Sequence, residues 1–406
     1  MNEVLFQVLK YFYIFAPVWA PILFGFIFFE LWIRYIRLHF IAKQGSVLLE
    51  IKLPKEVTKS PLAMEIVLTA MYQGGASHYI ETFWLGKVRP WFSLELASID
   101  GQVHFYIWCQ PKMKNIVESQ IYAQFPDVEI YEVQDYSLNF NYDPAKNSMW
   151  ATYFVKGKKE GKDFYPIKTY VDYGLDKDPK EEFKIDPLTA VLEYLGSIKK
   201  GEQVWIQILI QAHRKEDLKN DGRFFKKPTW EDAAKAEIAK IKEEATVKKE
   251  GSDYPGFPNL TKGQTETISA IERSVSKFTF ETTIRGIYMA TNESFNGANV
   301  PGLIGSVRQY GSNTLNLLKL GKFSDFDYPW EDFRNVRKDT IKRRMLEAYK
   351  MRSFFWPPYK NYRSKTYVMT TEELATIYHF PGSVATTPTI QKSASRKAEP
   401  PSNLPI

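Results

Sequence analysis

The apolar residues follow two patterns: one long unbroken run lies near the N-terminus, and the rest of the chain alternates short apolar segments with polar ones. The long run extends from Tyr11 to Ile33 and carries a single charge, Glu30, among 23 residues. As a helix it would be about 34 Å long, enough to cross a hydrocarbon core of about 30 Å. Pro17 and Pro21 can bend a membrane helix without breaking it. The run therefore predicts a transmembrane helix.

A cleaved signal peptide and a buried core helix are the two alternatives for this run. A signal peptide has a basic start, a short apolar core and a small-residue cleavage site, whereas here only Lys10 precedes the run and Glu3 offsets its charge. Arg34, Arg37 and Lys43 follow the run, and positive residues stay on the cytoplasmic side. This predicts a single-pass protein of the inner, or cytoplasmic, membrane whose bulk is cytoplasmic.

Aromatic residues near the ends of the run are typical of membrane interfaces. The predicted membrane-anchor residues are Tyr11, Trp19, Trp32, Arg34 and Arg37. Tyr11 and Trp32 lie near the two interfaces, and Trp19 lies mid-span. Only thirteen residues, 34–46, separate the run from the first predicted strand. Residues 1–45 are therefore assigned to the N-terminus and anchor, and the first domain is expected against the bilayer.

Residues 46–140 have the pattern of a first ferredoxin-like domain. Alternating apolar residues predict four strands, at 47–53, 91–99, 103–109 and 128–133. Apolar residues at helical spacing predict helices that begin at Ser60–Pro61 and at Pro111, and Asp100–Gly101 is a strong hairpin turn. The order strand, helix, strand, strand, helix, strand is that of a split β-α-β sandwich.

Residues 141–325 repeat this plan with less clear boundaries. The predicted strands are Ile167–Val171, paired with Trp150–Val155 through a turn at Gly157–Gly161, then Val204–Ile210, Phe280–Tyr288 and Leu315–Leu320. The predicted helices begin at Asp186–Pro187 and at Pro301. The fold class is therefore α+β: a transmembrane helix followed by tandem ferredoxin-like (βαββαβ) domains, the second with a helical insertion.

The insertion covers residues 213–277 and is charged and mostly helical. Thr229 and Asp232 have the spacing of a capping box, and Ile238 and Ile241 lie on a narrow apolar stripe among Lys and Glu. A solvated helix and a partner-docking arm are both compatible with this pattern.

Residues 326–382 form a basic and aromatic helical segment, and residues 383–406 form a tail rich in Pro, Ser and Thr, typical of a linker. Between Glu331 and Arg352 there are eight Lys or Arg against four acids. Basic residues among aromatics can bind single-stranded nucleic acid or an anionic membrane surface. The candidate contact residues are Arg337, Lys338, Lys342, Arg343, Arg344, Lys350, Arg352 and Trp356.

Packing on the body is the alternative interpretation of this basic helix. Phe333, Val336, Ile341 and Met345 would then face inward while the charges stay solvated. Under that interpretation the helix has a structural role, and its charged residues bind no partner.

Composition supports folded domains and limits the chemistry. The chain has 406 residues, 44% hydrophobic and 15% aromatic, which is enough for packed cores. Its single cysteine, Cys109, excludes an intrachain disulfide framework and is expected as a small buried hydrophobe. The net charge of +7 favours contact with anionic lipid or nucleic acid without requiring either.

The sequence contains none of the common catalytic motifs. No Gly-Lys pair, including Gly86–Lys87 and Gly321–Lys322, belongs to a phosphate-binding loop, and the motifs of nucleophile-elbow hydrolases, zinc proteases and dinucleotide-binding folds do not occur. This chain alone is therefore not expected to hydrolyse ATP. We predict a non-enzymatic protein with no catalytic residue, no cofactor and no metal site; an unrecognised hydrolase is the alternative.

Histidines and one acidic cluster are the remaining candidates for a metal. The five histidines never occur at ligand spacing and are expected to be packing or surface residues. Asp325, Asp327, Glu331 and Asp332 form the densest acidic cluster, and carboxylates can hold Mg²⁺ when substrate phosphates complete its shell. Because acids that precede a helix favour its dipole, we interpret the cluster as a capping loop for the basic helix.

Several segments resemble the membrane-proximal part of a family of membrane-anchored proteins linked to type IV secretion and conjugation. These segments are LEIKLP at 49–54, QVHFYIW at 102–108, IYAQFPDVEI at 121–130, EELATIYHFP at 372–381, TPT at 387–389 and KAEPPSNLP at 397–405. In long members of this family the last segments lead into a coupling-protein-like ATPase motor of the HerA or FtsK type. The resemblance covers nearly the whole chain, but its motifs are structural rather than catalytic.

This sequence departs from the long members because it ends at Ile406, where the motor would begin. The resemblance implies a membrane-proximal module for a DNA or protein translocation motor, with the P-loop ATPase encoded separately. We therefore predict an assembly or docking subunit that forms a homo-oligomer through exposed sheet edges. The alternative is a membrane-tethered nucleic-acid-binding module that uses the basic residues 334–352.

Overall fold

The computed structural model describes an α+β protein with one long apolar helix near the N-terminus and one nine-stranded antiparallel sheet. The residues that it describes are 2–54, 57, 59–75, 78–157, 162–176, 185–213, 229–246, 258–326 and 328–382. The predicted tail, most of the Gly157–Gly161 turn and parts of the insertion lie outside these residues.

The described residues form eleven α-helices and nine β-strands. The helices are α1 (Asn2–Ile14), α2 (Ala16–Gln44), α3 (Pro61–Ala70), α4 (Tyr79–Phe83), α5 (Lys114–Gln124), α6 (Pro187–Ser197), α7 (Trp230–Glu244), α8 (Lys262–Val275), α9 (Asn299–Ser306), α10 (Val336–Lys350) and α11 (Thr371–Ile377). The strands are β1 (Val47–Lys52), β2 (Phe92–Ile99), β3 (Gln102–Cys109), β4 (Glu129–Val133), β5 (Asn147–Lys156), β6 (Glu202–Ala212), β7 (Thr279–Thr291), β8 (Leu318–Phe323) and β9 (Tyr367–Thr370).

The strands form one continuous sheet in the order β4-β1-β3-β2-β6-β7-β5-β8, and β9 pairs with the first residues of β7. The central pair is β2 with β6, in antiparallel register from Phe92 opposite Ile210 to Ile99 opposite Gln203. Because β2 lies in the first predicted domain and β6 in the second, the sheet crosses the predicted boundary between them without a break.

Both faces of the sheet are covered. On one face, side chains such as Leu94 and Ile206 form a core with α3, α5, α6, α9 and α11. On the other face, Trp205 packs against Met345 and Tyr349 of α10. The residues of the central strands are therefore buried on both faces, including polar ones such as Ser93, Glu95 and Gln207.

The first half of the sheet confirms the strand and helix predictions in order and approximate position. Pro61 is the first residue of α3, and Asp100 and Gly101 turn the β2–β3 hairpin with φ of 53° and 84°. On α3, the face with Ala63 and Val67 is buried, and Ile66 on the other face is exposed. Cys109 is buried, as predicted.

In the second half, the prediction of a strand at Ile167–Val171 is wrong. The backbone N–H of Ile167 donates to the carboxylate of Glu373, and that of Thr169 donates to Asp172. These donors are therefore used by side chains and cannot join a β-ladder. The strand in this part of the sheet is β5, which includes the predicted partner segment Trp150–Val155.

Two other boundaries differ from the prediction. Helix α9 begins at Asn299, two residues before Pro301, and a proline in the first turn loses no helical hydrogen bond. Strand β8 begins at Leu318 rather than Leu315, because the backbone of Asn316 is held by Pro166 instead of a strand.

The described part of the insertion consists of α7 and α8, which pack on the body through a small separate core. This core contains Phe164, Tyr165, Ala234 and Ile271, and the predicted apolar stripe of Ile238 and Ile241 lies against it. Thr229 and Asp232 form the predicted capping box at the start of α7. The stripe therefore has a structural role, and the opposite faces of both helices are left to solvent.

Candidate functional site at the junction of the apolar helix and the sheet

The C-terminal half of α2 packs on the folded body. Ile33 and Ile36 are buried, and the indole Nε1 of Trp32 donates a hydrogen bond of 3.1 Å to the carbonyl oxygen of Phe83. Phe29 also contacts Phe83, with ring centroids 5.8 Å apart. By contrast, only 6% of the most apolar 18-residue window of α2 is buried. One helix thus has a free apolar part and a docked part.

A second set of contacts lies nearer the end of α2. The guanidinium of Arg37 sits 5.2 Å from the ring centroid of Trp356, and Phe40 and Ile41 pack in the same cluster as that tryptophan. The helix continues to Gln44, so only Gly45 and Ser46 separate it from β1. Helix and sheet are therefore joined without a flexible linker.

A cavity of about 330 Å³ lies at this junction. Its walls come from the last turns of α2, from the ends of β2 and β3, and from the chain after α10; its aromatic lining residues are Trp91, Trp108, Phe354 and Trp356. Polar atoms of Gln44, Gln110 and Trp356 are buried there without a hydrogen-bond partner among the described residues. The unpaired atoms are two donors, the Gln44 amide nitrogen and the Trp356 indole nitrogen, and two acceptors, the amide oxygens of Gln44 and Gln110.

A buried ion pair network closes the cavity floor. The Arg352 guanidinium donates to both carboxylate oxygens of Glu95, at 2.9 and 3.0 Å, and also binds Asp135. Glu95 accepts further hydrogen bonds from Ser93, Tyr136 and Gln207. Glu95 and Arg352 are at most 1% exposed. Burial by itself would raise the pKa of Asp135, but Arg352 holds that pKa below its usual range.

The network belongs to a row of polar side chains that crosses the sheet. Strand register places Tyr106, Glu95, Gln207, Arg285 and Tyr153 opposite one another on adjacent strands. Arg285 is fully buried, and burial lowers its pKa. Its Nη2 donates to the carbonyl oxygen of Ser353 at 2.6 Å, and its Nε and Nη1 have no hydrogen-bond partner among the described residues.

Of the predicted contact residues, the structure buries two and leaves three exposed. Arg352 is committed to Glu95 and Asp135, and the buried ammonium of Lys342 lies 3.6 Å from Asp325. This corrects the assignment of both as surface contacts, because a buried paired charge cannot reach a ligand. The exposed residues are Arg337, Arg343 and Arg344, and the half-buried ones are Lys338, Lys350 and Trp356.

The alternative interpretation of α10 is confirmed only in part. Met345 is buried and Ile341 packs against the core, but Phe333 and Val336 are exposed. The apolar face of α10 therefore begins later than predicted. Phe333 lies outside the helix, which begins after Asn335 in a left-handed conformation.

The acidic cluster contacts the first turns of α10. Asp332 accepts a hydrogen bond from the backbone N–H of Lys338 at 2.7 Å, and Asp325 lies 3.0 Å from the ammonium of Lys338. These contacts are those expected of a capping loop. Asp327 lies outside the described residues, and over the rest of the described chain no group of three or more His, Cys, Asp or Glu has metal-binding geometry.

The five anchor residues lie along α1 and α2. Tyr11 is exposed in the last turns of α1, and Trp19 donates from Nε1 to the carbonyl oxygen of Phe12 across the break between the helices. Arg34 is exposed, whereas Trp32 and Arg37 contact the body. The predicted run 11–33 is therefore divided between two helices, with most of it in α2.

Sequence reasoning missed the residues that build the junction. Glu95 is the single charge of the strand FSLELASI, and Arg285 lies amid the apolar residues of TFETTIRGIYMAT, whose other charge is Glu281. A charge in such a setting signals a buried polar partner. The segment around α4 carries Tyr79, Ile80, Phe83 and Trp84, whose spacing marks one helical face.

These features define a class of protein: a long apolar helix joined directly to an α+β body built on one nine-stranded antiparallel sheet. The chain belongs to the family described as a domain of unknown function (DUF8128), which matches residues 42–393. The match covers the whole sheet and begins at the last turn of α2, so Trp32, Ile36 and Arg37 lie before it. No curated protein matches the chain.

Proposed function

We propose that this protein is a single-pass, membrane-anchored, non-enzymatic docking subunit of a type IV secretion-like or conjugation-like translocation machine, working with a separate P-loop ATPase. The observation that carries the proposal is the docking of α2 on the folded body through Trp32, Ile36 and Arg37, together with its two-residue link to β1. A membrane tether that resists the reaction force of a motor needs a rigid connection between its transmembrane helix and its folded body. A flexible linker between the two would stretch under that force.

The strand order supports a further element of the proposal, that the two halves are tandem ferredoxin-like units. In the first half the order is β4-β1-β3-β2, and in the second it is β8-β5-β7-β6. Each matches the arrangement 4-1-3-2 of a split β-α-β sandwich. Helices α3, α5, α6 and α9, which connect these strands, contribute to one core on one face. We infer that β4 and β8, the end strands, provide edges for self-association.

The membrane part of the proposal predicts that α2 spans the bilayer with the sheet in the cytoplasm. In the full chain, Gln7→Cys is expected to react with a membrane-impermeant maleimide in intact cells, and Gln102→Cys only after lysis. Cys109 is buried and contributes little background. Equal labelling of both sites in intact cells, or release of the chain from membranes by alkaline carbonate, would contradict the proposal.

The docking part is tested first by whether the neighbouring reading frame encodes a P-loop ATPase, and its absence would contradict the docking role. We expect the full chain in detergent and that ATPase to co-migrate on size exclusion, and a truncation that begins at Gly45 to lose membrane recruitment of the ATPase. Separate migration of the purified pair would overturn the docking role while leaving the membrane topology intact.

Exposed residues before and on α10 favour one second function, single-stranded nucleic-acid binding. Tyr328 and Trp330 are exposed and stacked, with ring centroids 4.7 Å apart, and Arg343 and Arg344 are exposed on α10. Replacing both arginines by alanine is expected to weaken binding and to reduce the slope of log affinity against log salt by about 1.4, since each phosphate contact contributes about 0.7 for single strands.

The matched control removes the same charge elsewhere. Lys199 and Lys200 are exposed at the other end of the sheet, so the double alanine variant at these positions should bind as the unmodified chain does. If both double variants lower binding equally, the effect is one of net charge and the site is refuted. Absence of binding at low salt would dismiss this function altogether.

A further inference from the structure

The loop formed by His78–Lys87 carries an exposed apolar surface next to α2. Tyr79, Ile80, Trp84 and Leu85 are between 61% and 68% exposed. Four large apolar side chains close together in sequence are unusual on a surface that faces only water, and they indicate a contact with lipid or protein.

This loop is fastened to α2 at defined positions. The Trp84 ring lies 6.1 Å from that of Trp32, and the carbonyl oxygen of Phe83 accepts the indole hydrogen bond of Trp32. Gly86 lies so close to the helix that a Cβ there would be 2.5 Å from the backbone of Ile36. The loop therefore cannot move along or around α2 without breaking these contacts.

The position of the contacts along α2 sets the depth of the loop. Phe29 and Trp32 are the last aromatic residues of the apolar run, and Arg34 follows them. If α2 spans a bilayer, this level is the boundary between acyl chains and headgroups on the basic side, where tryptophan and tyrosine are favoured. The exposed side chains of the loop lie next to the same level.

We propose that the His78–Lys87 loop is a second membrane contact, with Ile80, Trp84 and Leu85 inserted into the interfacial region of the leaflet on the Arg34 side. The inference rests on the proposed transmembrane orientation of α2. A single spanning helix can tilt in the bilayer and carry the docked body with it, whereas a second contact beside the helix restricts this tilt. The loop would thus hold the sheet in one orientation to the membrane.

The test measures depth in the full chain reconstituted into vesicles of phosphatidylcholine and phosphatidylglycerol. Spin labels are placed one at a time through Ile80→Cys, Phe24→Cys on exposed α2, and Gln102→Cys at the far end of the β2–β3 hairpin. Collisions with oxygen report lipid, and collisions with a soluble nickel chelate report water. We expect the oxygen-to-nickel ratio at position 80 to be several times that at 102 and below that at 24.

Each outcome decides between distinct possibilities. A ratio at 80 equal to that at 102, with a high ratio at 24, overturns the loop contact and leaves the spanning helix in place. Low ratios at both 24 and 80 refute the spanning helix itself. A label at 80 that neither reagent reaches means that protein covers the loop, which also overturns the lipid contact.

A substitution at Gly86 provides an independent check. Gly86→Ala is expected to displace the loop, because its Cβ would collide with the backbone of Ile36 and because Gly86 has a φ of +66°. The ratio at 80 should then fall toward that at 102 while the ratio at 24 stays unchanged. Gly75→Ala is the control, since a Cβ there meets nothing within 4 Å. An unchanged ratio at 80 in a folded Gly86→Ala chain would contradict the proposed fastening.

Discussion

Replacing Arg352 by methionine is expected to lower the free energy of unfolding by about 3–5 kcal/mol, the range found when one partner of a buried ion pair is removed. The variant leaves the carboxylates of Glu95 and Asp135 without their cation. Guanidinium denaturation of the full chain in detergent, followed by tryptophan fluorescence, measures the change. Arg343→Met is the control: it removes the same charge from an exposed site on α10, and a change within about 0.5 kcal/mol is expected.

The effect of Arg352→Met should also depend on pH. In the unmodified chain the folded pKa of Asp135 is lowered, so its stabilising contribution is present above the unfolded pKa of about 4 and is lost as pH falls through the folded pKa. Without Arg352, burial dominates and raises that pKa, so acidification then favours the folded variant. The difference in stability between variant and parent should therefore shrink from pH 7 toward pH 5. A constant difference would contradict this account.

Lys156→Met is expected to produce a loss of similar size, about 3–5 kcal/mol. The ammonium of Lys156 lies 2.7 Å from the carboxylate of Glu373, and both side chains are 0% exposed. Glu373 also accepts hydrogen bonds from the backbone of Ile167 and Thr370. The pair thus joins β5, the segment before α6 and the start of α11, and an unpaired carboxylate there would destabilise all three.

A double variant separates the charge from the hydrogen bonds. In Lys156→Met with Glu373→Gln, the glutamine keeps an acceptor for the backbone donors but carries no charge. We expect the double variant to be more stable than Lys156→Met alone, by denaturation under the same conditions. Lys322→Met, at an exposed position of β8, is the control for loss of one lysine. Additive losses in the double variant would show that the two side chains are not coupled.

The first half of the sheet was predictable because its signals are local. Alternation in β2 and β3, the turn at Asp100–Gly101 and the start of α3 at Pro61 each depend on neighbouring residues. The segment Ile167–Val171 has the same alternation but is no strand, because its backbone donors bind distant side chains such as Glu373. Alternation reports which residues are apolar and carries no information on where the backbone hydrogen bonds go.

The junction was the least predictable part. Glu95 and Arg352 are 257 positions apart, and their separate sequence contexts, an apolar strand and a basic helix, suggest no relation. The sequence therefore placed Arg352 on a contact surface, whereas the fold buries it. Trp84 is a similar case, because only the fold places it next to Trp32.

By itself the sequence determined the long apolar run, its basic flank, the α+β class and most strand positions, because each follows from periodicity within a few residues. Tertiary structure alone decided that β2 pairs with β6 to make one sheet, that α2 docks on it without a linker, and which basic residues are buried. Those features depend on contacts between segments far apart in the chain. Only the packing of the whole chain decides which of these segments meet and which residues become buried.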